Sequence, residues 1–379
     1  MAHPVVITLM IFIPYSLLIL ALTTGWLRNK GTGGPGQKVK PGPFVSVIVP
    51  VRNEADNLAG LIGCLLQQRY QTERWELIFV NDHSDDGTAQ ELEGWTGISS
   101  ITMRVVHNAE GEAGKKAALA RGIAQARGEW IVTTDADCRM GKNWLASIAH
   151  MQEKKQPNMI FSPVVFDHGN KRFFGKFQAM EFLSLMATAA GSSNLERAVF
   201  CNAANMAFRK QAYLQLEDPL ASKVVSGDDT LLLQKMKQLN PRRIVFNKSR
   251  QALVWTHPVA RIRDFWQQRK RWVSKSRHYK DKDILTTGTI VFITNLWMLM
   301  LMAGAFFSPV YLKALIMGFA WKFIVDMVLL IPVVSYFQQH DLWKYYLPAQ
   351  ILYPLYSTLT ALAGQAGGFN WKNRYYPIN

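Results

Sequence analysis

Hydrophobic and polar positions divide this chain into three regimes. Residues 5–22 form an apolar run interrupted only by Pro14 and small polar side chains. The run is long enough for a bilayer anchor and lacks the basic start and small-residue cleavage site of a removable leader. From Phe44 the pattern changes to short apolar segments separated by amphipathic ones. Residues 45–50, 76–80, 101–106 and 130–134 predict strands, and 54–68 and 115–126 predict helices. Alternation of this kind implies a mainly parallel α/β sheet covered by helices, with ligands at the carboxyl ends of the strands. Beyond Asp283 the chain turns apolar again, over 284–307, 312–337 and 346–366. These stretches predict about three further membrane segments.

The boundaries imply an anchor over 1–27, a basic Gly/Pro linker over 28–43 and an α/β domain over 44–260. An amphipathic interface helix over 261–283 and a membrane region over 284–379 follow. An apolar share of 49% is high for a soluble enzyme and fits this mixture. The formal charge of +16 concentrates beside the apolar runs, at Arg28, Lys30, Lys38 and Lys40 and again from Arg261 to Lys282. Lysine and arginine so placed mark the cytoplasmic face of a membrane. The expectation is a multi-pass protein of the cell membrane with its α/β domain in the cytoplasm. No familiar recognition motif for nucleic acid is present, so nucleic acid is not an expected partner. Cys64, Cys138 and Cys201 form neither a zinc pattern nor a disulfide framework, which suits a reduced compartment. Four full spans would carry Lys372 and Arg374 outside, against the positive-inside tendency. The last segment, with Pro348 and Pro354, therefore reads as re-entrant or interfacial. Lys322 and Asp326, one helical turn apart in an apolar stretch, either pair structurally or line an acceptor path.

Candidate chemistry collects where strands end. Asp135 and Asp137 follow the strand 130–134, and an extended backbone turns both carboxylates to one side. Paired oxygens there suit Mg²⁺ or Mn²⁺, although a solvated turn would look the same. Asp82 closes another strand, where a carboxylate can meet a base or ribose, while Ser84, Asp85 and Asp86 suit the cap of the next helix. Lys115 follows Gly114 at a helix start and would add charge to a phosphate site. Asp228 and Asp229 follow Gly227. They suit a helix cap, or a base that takes an acceptor proton, the role given to Asp229. Gln268, Arg271 and Trp272 share one helical face, where arginine can grip a diphosphate and tryptophan can present its ring to a sugar. Arg261, Arg263, Lys275 and Arg277 read as the membrane-facing charges of the same helix.

Six landmarks occur in order: Val49-Pro50-Val51-Arg52-Asn53-Glu54, Asn81-Asp82-His83-Ser84-Asp85-Asp86-Gly87-Thr88, Gly114-Lys115, Asp135-Ala136-Asp137, Gly227-Asp228-Asp229 and Gln268-Arg269-Lys270-Arg271-Trp272. With them the chain resembles the membrane-embedded glycosyltransferases of family 2, which include cellulose, chitin and hyaluronan synthases and ceramide glucosyltransferase. The resemblance implies a GT-A fold, a nucleotide-sugar donor, usually a UDP-sugar, and Mg²⁺ or Mn²⁺. By motif match, Pro50, Glu54, Asp82, Lys115, Asp135, Gln268, Arg269, Arg271 and Trp272 would bind the donor. Asp135 and Asp137 would hold the metal, and Asp229, with Asp228 beside it, would be catalytic. Cys201, Asn202 and Trp272 would line the acceptor entrance. Two positions depart from the usual pattern: Asn81 stands for a frequent aspartate, and Gly227-Asp228-Asp229 for Thr-Glu-Asp.

The function this implies is inverting sugar transfer to a membrane-associated hydroxyl, with a lipid acceptor favoured because few spans follow the catalytic motifs. Two alternatives stand beside it. One is a processive polysaccharide synthase acting on a growing glycan. The other is a membrane protein that binds a nucleotide sugar without turnover.

Overall fold

The computed structural model describes residues 3–29, 31, 42–97, 100–169, 172–222, 224, 226–372 and 374–377. The linker expected over 28–43 lies outside the described residues at 30 and 32–41. The chain divides into two compact units. One comprises residues 30–167 and 200–257, and the other 1–29, 168–199 and 258–379.

The first unit is built on a mixed sheet. Its strands are β1 (Val45–Val51), β2 (Trp75–Asn81), β3 (Thr102–His107) and β4 (Trp130–Thr133). A two-residue β5 (Arg139–Met140) is followed by β6 (Met159–Phe161), β7 (Val164–Phe166), β8 (Met206–Arg209), β9 (Ile244–Phe246) and β10 (Val254–Thr256). Seven strands pair in the order β3-β2-β1-β4-β8-β6-β9. The first four are mutually parallel, and β8 runs antiparallel to both β4 and β6. Every residue of β2 and β4 is buried, as expected of central strands covered on both faces. The covering helices include α2 (Ala55–Leu66), α3 (Thr88–Thr96), α4 (Lys115–Gln125) and α5 (Trp144–Lys155). At Gly122 a β-carbon would fall 2.6 Å from Ile48 Cγ2, so α4 lies on β1 at glycine distance. Far from the ligand edge, Glu76 of β2 is wholly buried. It accepts hydrogen bonds from Ser46 Oγ (2.6 Å), the Arg127 amide (2.7 Å) and Arg104 (2.8 Å). Burial pushes its carboxyl up, but these donors outweigh burial and hold it below the usual carboxylate range.

The second unit begins with α1 (Pro4–Arg28) and takes in α6 (Phe173–Asn194), a segment for which the sequence predicts no separate allegiance. Its buried positions run all the way round the helix, from Phe177, Met180 and Phe182 to Ala187 and Ala190. A helix apolar on every side needs partners on every side. It approaches α1 at two glycines, where a β-carbon on Gly191 would fall 2.4 Å from Leu22 O. Following the short α7 (Lys210–Leu214) and α8 (Thr230–Leu239) of the first unit come α9 (Ile262–Ser274), α10 (Lys282–Gly304), α11 (Pro309–Phe337) and α12 (Trp343–Ala363). A hairpin of β11 (Gly368–Trp371) and β12 (Arg374–Pro377) ends the unit. Helices α1, α10 and α11 are long and apolar enough to cross a membrane. At about 1.5 Å per residue, even the shortest exceeds the roughly 30 Å hydrocarbon core.

One buried polar cluster of this unit is mutually paired. Lys322 Nζ bonds Gln350 Oε1 (3.0 Å) and pairs with Asp326, which also accepts from Tyr15 (2.6 Å) and Gln350 Nε2 (2.7 Å). The sequence leaves Lys322 and Asp326 between an ion pair and an acceptor path, and the structure shows the ion pair.

Candidate active site

The first unit gathers its motif residues at the carboxyl edge of the sheet. Three loops are laced together there by side chain to backbone bonds. Arg52 Nη1 donates to the carbonyls of Asp82 (2.7 Å) and His83 (2.8 Å). Asn53, held at φ 51°, donates to Asp85 (2.7 Å), and the Glu54 amide donates to Thr88 Oγ1 (2.9 Å). Asp86 accepts the Ala55 and Thr88 amides at the starts of α2 and α3 (3.2 and 3.1 Å). Pro50 stands in β1 just before this knot, and Glu54 also accepts from Asn57 (2.7 Å).

Asp82 is 2% exposed. Its Oδ1 accepts from Asn108 Nδ2 (2.9 Å), and both oxygens lie 3.0 Å from the Gly114 amide. The carboxylate thus fixes the loop that launches α4. Gly114 sits at φ 99°, a region that favours glycine. Lys115 is therefore delivered to a set place.

Its ammonium lies 2.6 Å from Asp135 Oδ1 and 3.5 Å from Asp228 Oδ2. Three motifs spread over more than a hundred positions thus converge on one cation. The Asp228 side chain is 10% exposed, and its Oδ2 is buried without a hydrogen-bond partner among the described residues. Asp137 Oδ2 accepts from Thr256 Oγ1 (2.9 Å), which ties the aspartate pair to β10. Asp229 is half-buried and caps α8 through the Thr230 amide. Cys201 is buried, and Asn202 accepts the Ala204 amide (2.9 Å). Both precede β8, whose start pairs with the end of β4 at Thr133 and Met206, so they reach the same edge. Cys138 is buried beside Asp137. Burial and the two aspartates push its thiol well up.

The donor set suits a hard divalent cation. Asp135, Asp137 and Asp228 offer carboxylate oxygens, one of them an orphaned buried atom beside a lysine cation. No cage of three or more metal ligands exists among the described residues. Two carboxylates completed by substrate phosphates are how Mg²⁺ is commonly held.

The second unit carries the Gln268 to Trp272 motif on α9. Arg269 is 2% exposed. It pairs with Glu181 of α6, bonds Tyr356 of α12 (2.9 Å) and stacks on Phe265 and Trp272, 4.4 and 4.2 Å from their centroids. Tyr356 completes the triangle by donating to Glu181 (2.6 Å). Gln268 accepts from Arg269, and Trp272 lies 6.1 Å from Phe182. Arg271 is half-buried on the same helix. Sequence reading missed Glu181, Tyr356, Asn108 and Thr256, which hold the motif residues in place. None sits in a recognisable pattern. Only Glu181, an acid in an apolar stretch, carried a signal.

Residues 46–216 match Glycosyl transferase family 2. Glycosyltransferase AglE of Haloferax volcanii is 33% identical over 103 residues, covering 27% of this chain and 33% of that protein. Dodecaprenyl-phosphate galacturonate synthase of Rhizobium johnstonii is 28% identical over 132 residues, covering 35% of this chain and 38% of that protein. The chain thus spans little more than a third of the length of these two relatives. Among solved structures, the mannosyltransferase PcManGT of Pyrobaculum calidifontis, in complex with GDP-Man and Mn²⁺, superposes with a TM-score of 0.62. It is 18% identical, over 92% of this chain and 98% of its own. Strand order and these likenesses agree on a GT-A fold, in which residues 46–216 form a family 2 glycosyltransferase domain.

Proposed function

We propose that the chain is an inverting glycosyltransferase that moves a sugar from a nucleotide sugar, UDP-linked, to a lipid acceptor at the cytoplasmic face of the cell membrane. The observation that carries this reading is Lys115 held between Asp135 and Asp228 at the sheet edge. A cation and flanking carboxylates at that edge are what a diphosphate with its divalent counter-ion needs. The Rhizobium relative, by its name, makes a polyprenyl-phosphate sugar, which supports a lipid acceptor. The mannosyltransferase was solved with a nucleotide sugar and Mn²⁺, in keeping with the donor and metal classes proposed.

The roles follow the motifs. Asp229 takes the proton of the acceptor hydroxyl as its oxygen bonds the anomeric carbon and the bond to the diphosphate breaks. Lys115 and Arg271 offset the charge gathering on the leaving diphosphate, and Gln268 and Trp272 orient donor and acceptor. Asp82, Pro50 and Glu54 shape the nucleotide side, and Cys201 and Asn202 the acceptor side. Mg²⁺ or Mn²⁺, held by Asp135 and Asp137, would neutralise diphosphate charge. Arg269 contributes from its buried place by fixing the helix.

The test is turnover by the full chain in native vesicles, with Mg²⁺ or Mn²⁺ and a panel of UDP-, GDP- and dTDP-sugars. Label in the lipid-extractable fraction from a UDP-sugar is expected. Label only in insoluble polymer would replace this reading with a polysaccharide synthase. Donor binding with no product across added lipids would leave a binding protein.

A further inference from the structure

We infer that α12 enters and leaves the same leaflet of the bilayer. Its apolar stripe is seated in the acyl chains there, and the C-terminal hairpin returns to the side on which α9 lies. The spans set the frame. Helices α1 and α11 run parallel: Phe12 packs on Trp321 (5.9 Å between centroids), Tyr15 bonds Asp326 and Trp26 packs on Tyr336 (5.5 Å). Helix α10 turns into α11 within residues 305–308, and its Trp297 donates to Thr8 near the start of α1 (2.9 Å). The Arg28 end of α1, the Lys282 start of α10 and the Phe337 end of α11 therefore share one side. Helix α9 lies on that side, since only residues 275–281 separate it from α10.

Helix α12 starts there, five residues after α11. It also finishes there. A β-carbon on Gly364 would fall 2.5 Å from Val273 Cγ1 of α9. Gln365 accepts from Arg277 (3.0 Å) and donates to Ser276 (3.1 Å), and the Asn370 amide donates to Gln267 (2.9 Å). A spanning α12 would put the hairpin some 30 Å away, across the hydrocarbon core. Helix α9 cannot move inward to meet it, because each arginine or lysine at mid-bilayer costs about 2.5–3.5 kcal/mol.

The occupant of the outer face follows from its continuity with the three spans. Leu347, Ile351, Leu355, Leu359 and Leu362 lie three or four positions apart, hence on one face, and each is at least 42% exposed. The opposite face is tied to the unit by Tyr346, Gln350 and Tyr356. This placement also gathers Arg28, Arg277, Lys280, Lys372 and Arg374 on one side of the membrane, as positive-inside requires.

The inference rests on the membrane location proposed above, and sided labelling separates the two. Tyr375→Cys, Lys280→Cys and Phe307→Cys are made in the full chain, with the unaltered chain giving the background from its three cysteines. Sealed vesicles are treated with an impermeant maleimide, and detergent-opened vesicles confirm that each position can react. Tyr375→Cys is expected to label from the same side as Lys280→Cys, and Phe307→Cys from the other. Tyr375→Cys reacting with the Phe307→Cys side would overturn the placement of α12. Lys280→Cys and Phe307→Cys reacting from one side would instead remove the spanning reading itself. Nitroxides at Leu347, Leu355 and Leu362 should report acyl-chain contact on the α9 side of the bilayer, deepest at Leu347, where α12 meets the middle of α11, and shallowest at Leu362, beside α9. Depths passing through the bilayer centre, or contact with water alone, would sink the inference.

Discussion

A lysine lodged between two aspartates is a cation site already filled, and a donor diphosphate must compete for that lysine. Removing the charge takes away one charge-assisted contact, which is typically worth about 1.5–3 kcal/mol. Lys115→Met should therefore weaken nucleotide-diphosphate affinity by about ten- to a hundred-fold, read by calorimetry in the presence of Mn²⁺. Asp229→Asn should lower turnover by a factor of roughly 10²–10⁴, the usual share of a general base, with donor affinity unchanged. Near-normal turnover on a hydroxyl acceptor would take Asp229 out of the role. An acceptor phosphate is already ionised and needs no proton removed, so insensitivity restricted to such an acceptor would identify its class. Glu76 belongs to the opposite edge. Glu76→Ala leaves buried donors unmet and should cost about 1–3 kcal/mol of stability with donor affinity intact. Its depressed pKa stabilises the fold at pH above its unfolded value of about 4.3, and that stability is lost as pH falls through the folded value. An acid midpoint in the Ala variant that matched the parent would contradict this.

At the scale of elements, α9 stands or falls by what grips it. Its Arg269 guanidinium is fixed by Glu181 of α6 and Tyr356 of α12. Breaking one partner of a buried pair strands the other charge, at a cost of about 3–5 kcal/mol. Glu181→Ala should therefore lower the thermal midpoint markedly, and Tyr356→Phe much less. The same loss in both would mean that the hydroxyl holds the helix as firmly as the carboxylate. The motif was legible from the identity and order of its residues. Which of its arginines faces inward was not, because that depends on an acid carried 88 positions earlier on another helix. The first four strands were legible too, since each is a compact apolar run bounded by polar turns. Strands β6, β8 and β9 were not: each is three or four residues long and lacks the strand-helix alternation that frames the first four.

For the whole molecule, the metal offers the broadest test. Chelation should abolish sugar transfer and Mn²⁺ or Mg²⁺ should restore it, while the thermal midpoint of the apo protein moves little. A collapse of the fold on chelation would mean a structural ion. Composition and patterning determined that an α/β domain is joined to membrane helices, because periodicity, run length and charge placement are local properties of a chain. They also named most of the candidate chemistry, since strand-end carboxylates and a helix-start lysine follow from where apolar runs stop. Tertiary structure alone decided the rest. It set Asp228 beside Lys115, fixed the Gly114 loop with Asp82, moved residues 168–199 into the membrane unit and turned the end of α12 back to α9. Each of these depends on partners distant in sequence, whose pairing is set by packing and by the need to satisfy buried charge.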